Sequence, residues 1–318
     1  MEPGASVIGA ALAPQPALVY CTFGADQVPD EHAVAQVEGG PAVSAGAQCR
    51  GVTIDAVTGT ILGLFATPNG FSVYDHVYWI GIASVGESPL PIPAWQAPSG
   101  FTNDEIYSDG WQVRQGRVVR SLSFHAVAVA KSKPNAHPVW SIDLQSDDPE
   151  WAPATVNPPP EKYVKASRPA IDSKGSGELL VRTVKGAMAL WRFDFGGEMQ
   201  AIATLDIPST DALSDLVYGH DDFLYAALGS ADIQKKNTER VVKLGPDGAL
   251  LASFDIASFD IGGIEGIAAA ADGTLYVGTF KLGLGPDGLY RLAPGKPLEK
   301  LGCEGYVLGY IALGPLQP

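Results

Sequence analysis

The sequence predicts an all-β fold: a single six-bladed β-propeller of four-stranded antiparallel blades, spanning residues 1–318. Three observations lead there. A unit made of a short apolar run, a turn and a second run rich in β-formers recurs along the chain, with most starts roughly 40 to 50 residues apart. Glycine (37) and proline (25) are abundant along the whole length, which means many short elements joined by tight turns. Helical periodicity is nearly absent.

The first copy, "SVIGAALAPQPALVYCTF" near the N-terminus, is loose, and "GVTIDAVTGTILGLF" from Gly51 is the first clear one. A wide gap then holds "ESPLPIPAWQAPSGFTNDEIYSDGW", Glu87 to Trp111, which is Pro-rich and has no strand pattern. An irregular loop of this length in a compact domain is usually functional or disordered. It is expected to cap one face of the ring through Trp95, Phe101 and Tyr107, or else to decorate a blade edge. "HAVAVAKSKPNAHPVWSID" from His125 is a second loose copy, and Asp147 to Tyr163 reads as an interblade connection. Clear copies follow as "PAIDSKGSGELLVRT" from Pro169, "DLVYGHDDFLYAAL" from Asp215 and "EGIAAAADGTLYVGTF" from Glu265.

Third and fourth strands complete the later units. "RVVKLG" and "LLASFD" follow "FLYAAL", and "GLYRLA" and "PLEKL" follow "TLYVGTF". Asp-Gly turns supply the positive-φ geometry that tight hairpins need. Six units give six blades, with five or seven as the alternatives. One run is left over: "EGYVLGYIALGP" after Cys303 reads as an innermost strand with no partners following it. An open ring leaves sheet edges unpaired. This strand is therefore expected to complete the N-terminal blade, in competition with "SVIGAALA" for the same innermost slot.

Hydrophobic residues at 46% and charged residues at 18% describe a globular chain. The net charge is -14, from 21 basic and 35 acidic residues, and no basic stripe is visible, which excludes a nucleic-acid partner. An acidic surface suits neutral or cationic partners. No apolar run is long enough to span a bilayer, so no membrane partner is expected. "MEPGASVIGAALA" lacks a positively charged start. The sequence as it stands reads as cytoplasmic, or as secreted or periplasmic if a signal peptide has been removed.

The residue before each first strand carries the functional expectation. It is Arg50, His125, Arg168, Asp215, Glu265 and Glu304, every one ionisable. Innermost strands line the channel of a propeller, so these residues are expected to converge on one mouth. Asp215, Glu265 and Glu304 supply hard oxygen ligands suited to Ca²⁺ or Mg²⁺. A cation there could polarise a carbonyl or activate water. Asp215, Glu265 and His125 are the candidate catalytic groups, with His125 moving protons near neutral pH. Arg50 and Arg168 could clamp an anionic group bidentately, alongside Trp95, Phe101 and Tyr107. Without a metal, adjacent carboxylates would raise one another's pKa and provide a general acid. The structural alternative is a set of ion pairs that neutralise one another at the channel.

Other residues carry less. His220-Asp221-Asp222 and His137 sit in hairpins and read as solvated turns, while His32 and His76 have no convincing partners. Trp140, Trp151 and Trp191 read as packing between blades. The three cysteines, Cys21, Cys49 and Cys303, exclude a zinc ribbon and a disulfide scaffold. Cys49 and Cys303 each precede a ring residue and are either buried thiols or a bridge between neighbouring blades. No G-x-S-x-G elbow, H-E-x-x-H motif or phosphate loop is present.

The C-terminal third, with "LSDLVYGHDDFLYAAL", "VVKLGPDGALLASFDI" and "GIEGIAAAADGTLYVGTF", resembles six-bladed propellers of the gluconolactonase/SMP-30, NHL, SdiA-regulated or esterase-like phytase type. The resemblance implies a channel metal held by a Glu, an Asp and Asn residues of Asn-Gly elements. Glu265 and Asp215 match in type and place, whereas the one Asn-Gly pair, Asn69-Gly70, follows a second strand. The expectation is a monomeric small-molecule enzyme, a metal-assisted hydrolase of lactones or esters using Ca²⁺ or Mg²⁺ and no organic cofactor. The alternatives are a metal-free cyclase or lyase and a non-catalytic binding or scaffold propeller.

Overall fold

The structure is a computed structural model. It describes residues 16–23, 33–36, 43–44, 48–55, 61–66, 80–84, 90–91, 93, 98–102, 105–107, 110–133, 136–157, 161–208, 211–230, 239–259, 261, 263–279, 288–301 and 306–315. At several strand positions, Cys49, Arg50 and Tyr107 among them, the description extends to the backbone alone.

The chain begins with β1 (Pro16–Phe23), β2 (Ala33–Gln36), β3 (Val43–Ser44), β4 (Gln48–Ile54), β5 (Ile61–Ala66), β6 (Ile80–Ser84) and β7 (Leu90–Pro91). Next come β8 (Ile106–Tyr107), β9 (Trp111–Arg114), β10 (Arg117–Ser121), β11 (Ser123–Phe124), the helix α1 (Val127–Ser132), β12 (Val139–Asp143) and β13 (Ala152–Pro153). A third group holds β14 (Tyr163–Ala166), β15 (Ala170–Ile171), β16 (Gly177–Thr183), β17 (Met188–Phe193) and β18 (Gln200–Leu205). The clear repeats become β19 (Asp211–Tyr218), β20 (Leu224–Ser230), β21 (Arg240–Leu244) and β22 (Leu250–Asp255), then β23 (Ile264–Ala269), β24 (Leu275–Thr279), β25 (Gly288–Leu292) and β26 (Glu299–Leu301). β27 (Tyr306–Pro315) ends the chain.

These strands form a propeller arrangement of antiparallel sheets. Among the described residues, four sheets stand as separate blades where the repeats predict six. They run β9-β10-β12-β13, β14/β15-β16-β17-β18, β19-β20-β21-β22 and β23-β24-β25-β26. The other long strands share one eight-stranded sheet, ordered β3-β2-β1-β27-β4-β5-β6-β7. The C-terminal strand β27 takes the slot beside β1, as its pattern predicts, and "SVIGAALA" lies outside the described residues.

The side chains show why the sheets close into a ring. Each central strand is buried on both faces, and its period-two alternation sorts it between two interblade cores. In β17, Ala189, Trp191 and Phe193 enter one core, while Met188 and Leu190 enter the next. In β20, Leu224, Ala226 and Leu228 face backward, whereas Tyr225 and Ala227 face forward. Further cores join Trp111, Val118 and Ile142 to Leu62 of the first sheet, and Ala268 and Leu289 to Leu18 and Ile311 of the same sheet. The apolar interfaces therefore lead around the molecule and return to where they began.

One repeat is corrected. "HAVAVA" is not an inner strand: Val127–Ser132 is helix α1, and β9, which starts at the last residue of the stretch expected to be irregular, is the innermost strand of that blade. Both edges of β10 are already taken, by β9 and β12, so the run has no strand to pair with and closes its hydrogen bonds on itself. No helix among the described residues is long and apolar enough to cross a membrane.

Candidate functional site: the central cavity

A cavity of ≈ 530 Å³ opens where the innermost strands meet. Its wall takes Thr53 and Ile54 from β4, Gln112 from β9, Ile171 from β15, Val217 and Tyr218 from β19, Ile267 to Ala269 from β23 and Ile311 to Gly314 from β27. All but Gln112, the second residue of β9, lie toward the downstream ends of their strands. The turns that follow them add Asp55, Asp172, Ser173, His220 and Asp222.

Each polar group is held by a local device. His220 sits on the turn after β19. Its backbone N–H donates to the Ala269 carbonyl of the next blade at 3.0 Å, and its Nε2 lies 2.8 Å from the Leu313 carbonyl of β27. A carbonyl oxygen only accepts, so Nε2 carries the proton and Nδ1 is left as the acceptor. The turn needs Gly219, where an added Cβ would meet Asp221 Oδ1 and the Tyr225 ring, both at 2.7 Å. Asp172 Oδ1 accepts from the N–H groups of Lys174 and Ser176, each at 2.9 Å, in an Asx turn. The buried Asp55 accepts from Gly116 N–H, and the Thr53 hydroxyl donates to Gln112 Oε1 at 2.6 Å. Tyr218 donates its hydroxyl to Glu178, itself paired with Arg192. Burial, with the Glu178 charge, pushes the Tyr218 phenol above its ordinary value.

Arg168 also lines the cavity, with Asp215 packed behind it. Arg168 Nε lies 2.9 Å from Asp215 Oδ1 and Nη2 donates to Oδ2 at 3.2 Å, both side chains being fully buried. Asp215 also accepts from Leu216 N–H at 2.8 Å and from Ile267 N–H of the following blade at 2.9 Å. One carboxylate thus staples three blades. Burial pushes its carboxyl above the ordinary value, against the pull of Arg168 and the two N–H groups.

The expected ring of ionisable residues is only partly in register. β4, β19 and β23 each carry an extra residue near the start of the ladder: Arg50, Ser214 and Glu265 respectively. Such bulges re-aim the chain locally. Arg50 and Glu265 therefore occupy equivalent places, whereas Asp215 stands one residue later, opposite Ala227 as Gly51 stands opposite Leu64. One residue of slip turns a strand side chain to the other face, so Asp215 enters the blade interior while Glu265 stays half-buried.

The structure places the remaining candidates as follows. His125 is exposed on the turn before α1, away from the cavity wall. Phe101 packs on Phe124, 5.6 Å between ring centres, and its loop is tied to α1 by Lys133, which pairs with Glu105 and donates to the Gly100 carbonyl. Tyr107 lies on β8, and Trp95, Glu304, Cys303, His32 and His76 lie outside the described residues. Trp191 is buried and Trp140 and Trp151 pack at the same interblade core. His137, half-buried on the connection from α1 to β12, meets Thr155 Oγ1 at 3.2 Å, and burial holds its pKa below the ordinary value. The sequence pointed to the start of the inner strands, and the cavity draws on their ends. Its chemistry-bearing residues there, Asp55, Asp172, Gln112, His220 and Asp222, were legible only as polar turns, "DSKGS" and "HDD" among them.

A cation fits poorly at Asp215. Oδ1 accepts from Leu216 N–H and lies 2.9 Å from the Arg168 guanidinium, Oδ2 accepts from Arg168 and from Ile267 N–H, and no group of three His, Cys, Asp or Glu suited to a metal is present among the described residues.

No family model and no curated protein matches the chain. Solved structures do. A protein of unknown function from Bacteroides caccae is similar over 95% of this chain and 99% of that one, at 13% identity and a TM-score of 0.50. The Aleuria aurantia lectin, in complex with α-methyl-L-fucoside, is similar over 93% of this chain and 96% of that one, at 8% identity and a TM-score of 0.54. A gluconolactonase from Xanthomonas campestris matches over 95% and 91%, at 11% identity and a TM-score of 0.48. Likeness at these identities speaks to the fold.

Proposed function

We propose that this chain is a small-molecule hydrolase that cleaves a lactone or ester in its central cavity, with His220 as general base. The observation that carries the reading is an imidazole fixed on the cavity wall with its acceptor nitrogen defined, by the bond from Nε2 to the Leu313 carbonyl. Nδ1 takes a proton from water as the water oxygen attacks the substrate carbonyl. The tetrahedral species collapses, the carbon–oxygen bond of the ester breaks, and the imidazolium returns the proton to the departing alkoxide. Gln112, whose carbonyl oxygen is occupied by Thr53, turns its amide N–H groups to orienting the substrate. A divalent cation of the kind the family resemblance implies would polarise the carbonyl, but no step is routed through one, because Asp215 is already paired with the Arg168 guanidinium.

The same reading takes the eight-stranded sheet as two blades, β27-β1-β2-β3 and β4-β5-β6-β7, giving six in all. β27 meets β4 at a single parallel pair, Tyr310 with Gly51, but runs against β1 through a long antiparallel ladder from Pro16 to Phe23. A seam that thin supports a boundary between blades.

The test is a panel of lactones and esters followed by proton release, with chelator present. Turnover by the wild type that His220→Asn abolishes without lowering Tm is the expected result. No turnover in the wild type, or full turnover in the variant, rejects the reading.

A further inference from the structure

We infer that the cavity selects a cationic substrate, an ester or lactone bearing an amine or quaternary ammonium group. The reaction class rests on the hydrolytic reading above, and the substrate class rests on the wall itself.

The charges of that wall do not cancel. Its one guanidinium, Arg168, is paired with Asp215. Asp172 and Asp222 also line the cavity, and neither forms an ion pair among the described residues. Asp172 is hydrogen-bonded by backbone N–H groups and lies within the field of Arg192, which is itself paired with Glu178, and the exposed Asp222 is held by its turn, at φ 58. Of the nearby cations, Lys243 pairs with Asp221 at 2.7 Å beneath the turn, while Arg114, bound to the carbonyls of Asp172 and Ser173, keeps its charge and offsets one of the carboxylates.

Tyr218 lines the same wall, its hydroxyl fixed on Glu178, and an aromatic face attracts a quaternary ammonium. A concave site lined by one sign of charge focuses its field and concentrates the opposite sign. The net charge of -14 reinforces that field. A carboxylate-bearing substrate meets repulsion at the same groups.

The probes are the trimethylammonioethyl ester of acetic acid, its uncharged dimethylbutyl isostere, in which carbon replaces nitrogen, and a carboxylate-bearing acetate ester of similar length. The ammonium ester is expected to exceed the isostere by about tenfold in kcat/KM, given roughly threefold from each unpaired carboxylate, with the carboxylate ester slowest. Added salt is expected to shrink the difference. Asp172→Asn with Asp222→Asn should erase it, since Asn keeps the Asx acceptor and tolerates the positive φ. Should the double variant not fold, Asp222→Asn alone should cut the preference about threefold.

Equal or faster cleavage of the neutral or anionic ester overturns the inference while the hydrolytic reading stands. So does a preference that the folded variants retain. If none of the three esters is cleaved, Tm shifts by the product alcohols decide. Stabilisation by the trimethylammonio alcohol over its dimethyl isostere supports the inference, and equal or absent shifts overturn it.

Discussion

Asp215 pairs with Arg168, as the ion-pair alternative read from the sequence has it. Its charge, and that of Arg168, stand out in the sequence, but the extra residue at Ser214 does not, because a bulge leaves no mark in a single chain. The resulting pair is buried and ties three blades together. Asp215→Asn leaves Arg168 buried without its counter-charge, and is predicted to cost about 3–5 kcal/mol in denaturant unfolding. Asp221 gives a second residue-scale prediction. Burial raises its pKa, but bonds from Lys243, Tyr225 and the Phe223 N–H outweigh this and hold it below the ordinary carboxylate value. A lowered folded pKa stabilises the fold above the unfolded value, near 3.9. That contribution is lost as pH falls through the lower folded value. Stability measured against pH should therefore drop more steeply below about pH 4 in the wild type than in Asp221→Asn.

At the scale of elements, the strand runs were legible because period-two burial on both faces forces apolar residues in succession, as in "ELLVRT" and "FLYAAL". Where a run was short and flanked by alanines, as in "HAVAVA", pattern alone could not tell strand from helix, and the filled edges of β10 decided. Turns carried more information. Gly248, at φ 81, would place a Cβ 2.6 Å from Ala203 Cβ on the preceding blade. Gly248→Ala is predicted to cost about 1–3 kcal/mol, from backbone strain and overpacking together, measurable by thermal unfolding. Trp191→Ala, which empties the core between two blades, should cost about 3–5 kcal/mol.

At the scale of the whole molecule, the closing strand links stability to function. β27 pairs with β1, fills the cavity wall from Ile311 to Gly314 and offers the carbonyl that orients His220. Truncation before Tyr306 is predicted to lower Tm and abolish turnover together, since it exposes the edge of β1 and frees the imidazole. The ring was legible from the repeat spacing, and its closure from the unpaired C-terminal strand. Which ends of the inner strands line the described cavity was not, because that depends on how the inner strands converge, and no local pattern records convergence. The two ends make opposite claims: Glu265 at the bulge of β23, or His220 on the turn after β19. The deciding measurement is kcat/KM on one cleaved ester for His220→Asn and Glu265→Gln, each checked for an unchanged Tm. A fall of about 10²–10⁴ in His220→Asn, with Glu265→Gln within about threefold of wild type, is the predicted result. The reverse pattern would contradict the account and return the chemistry to the upstream ring.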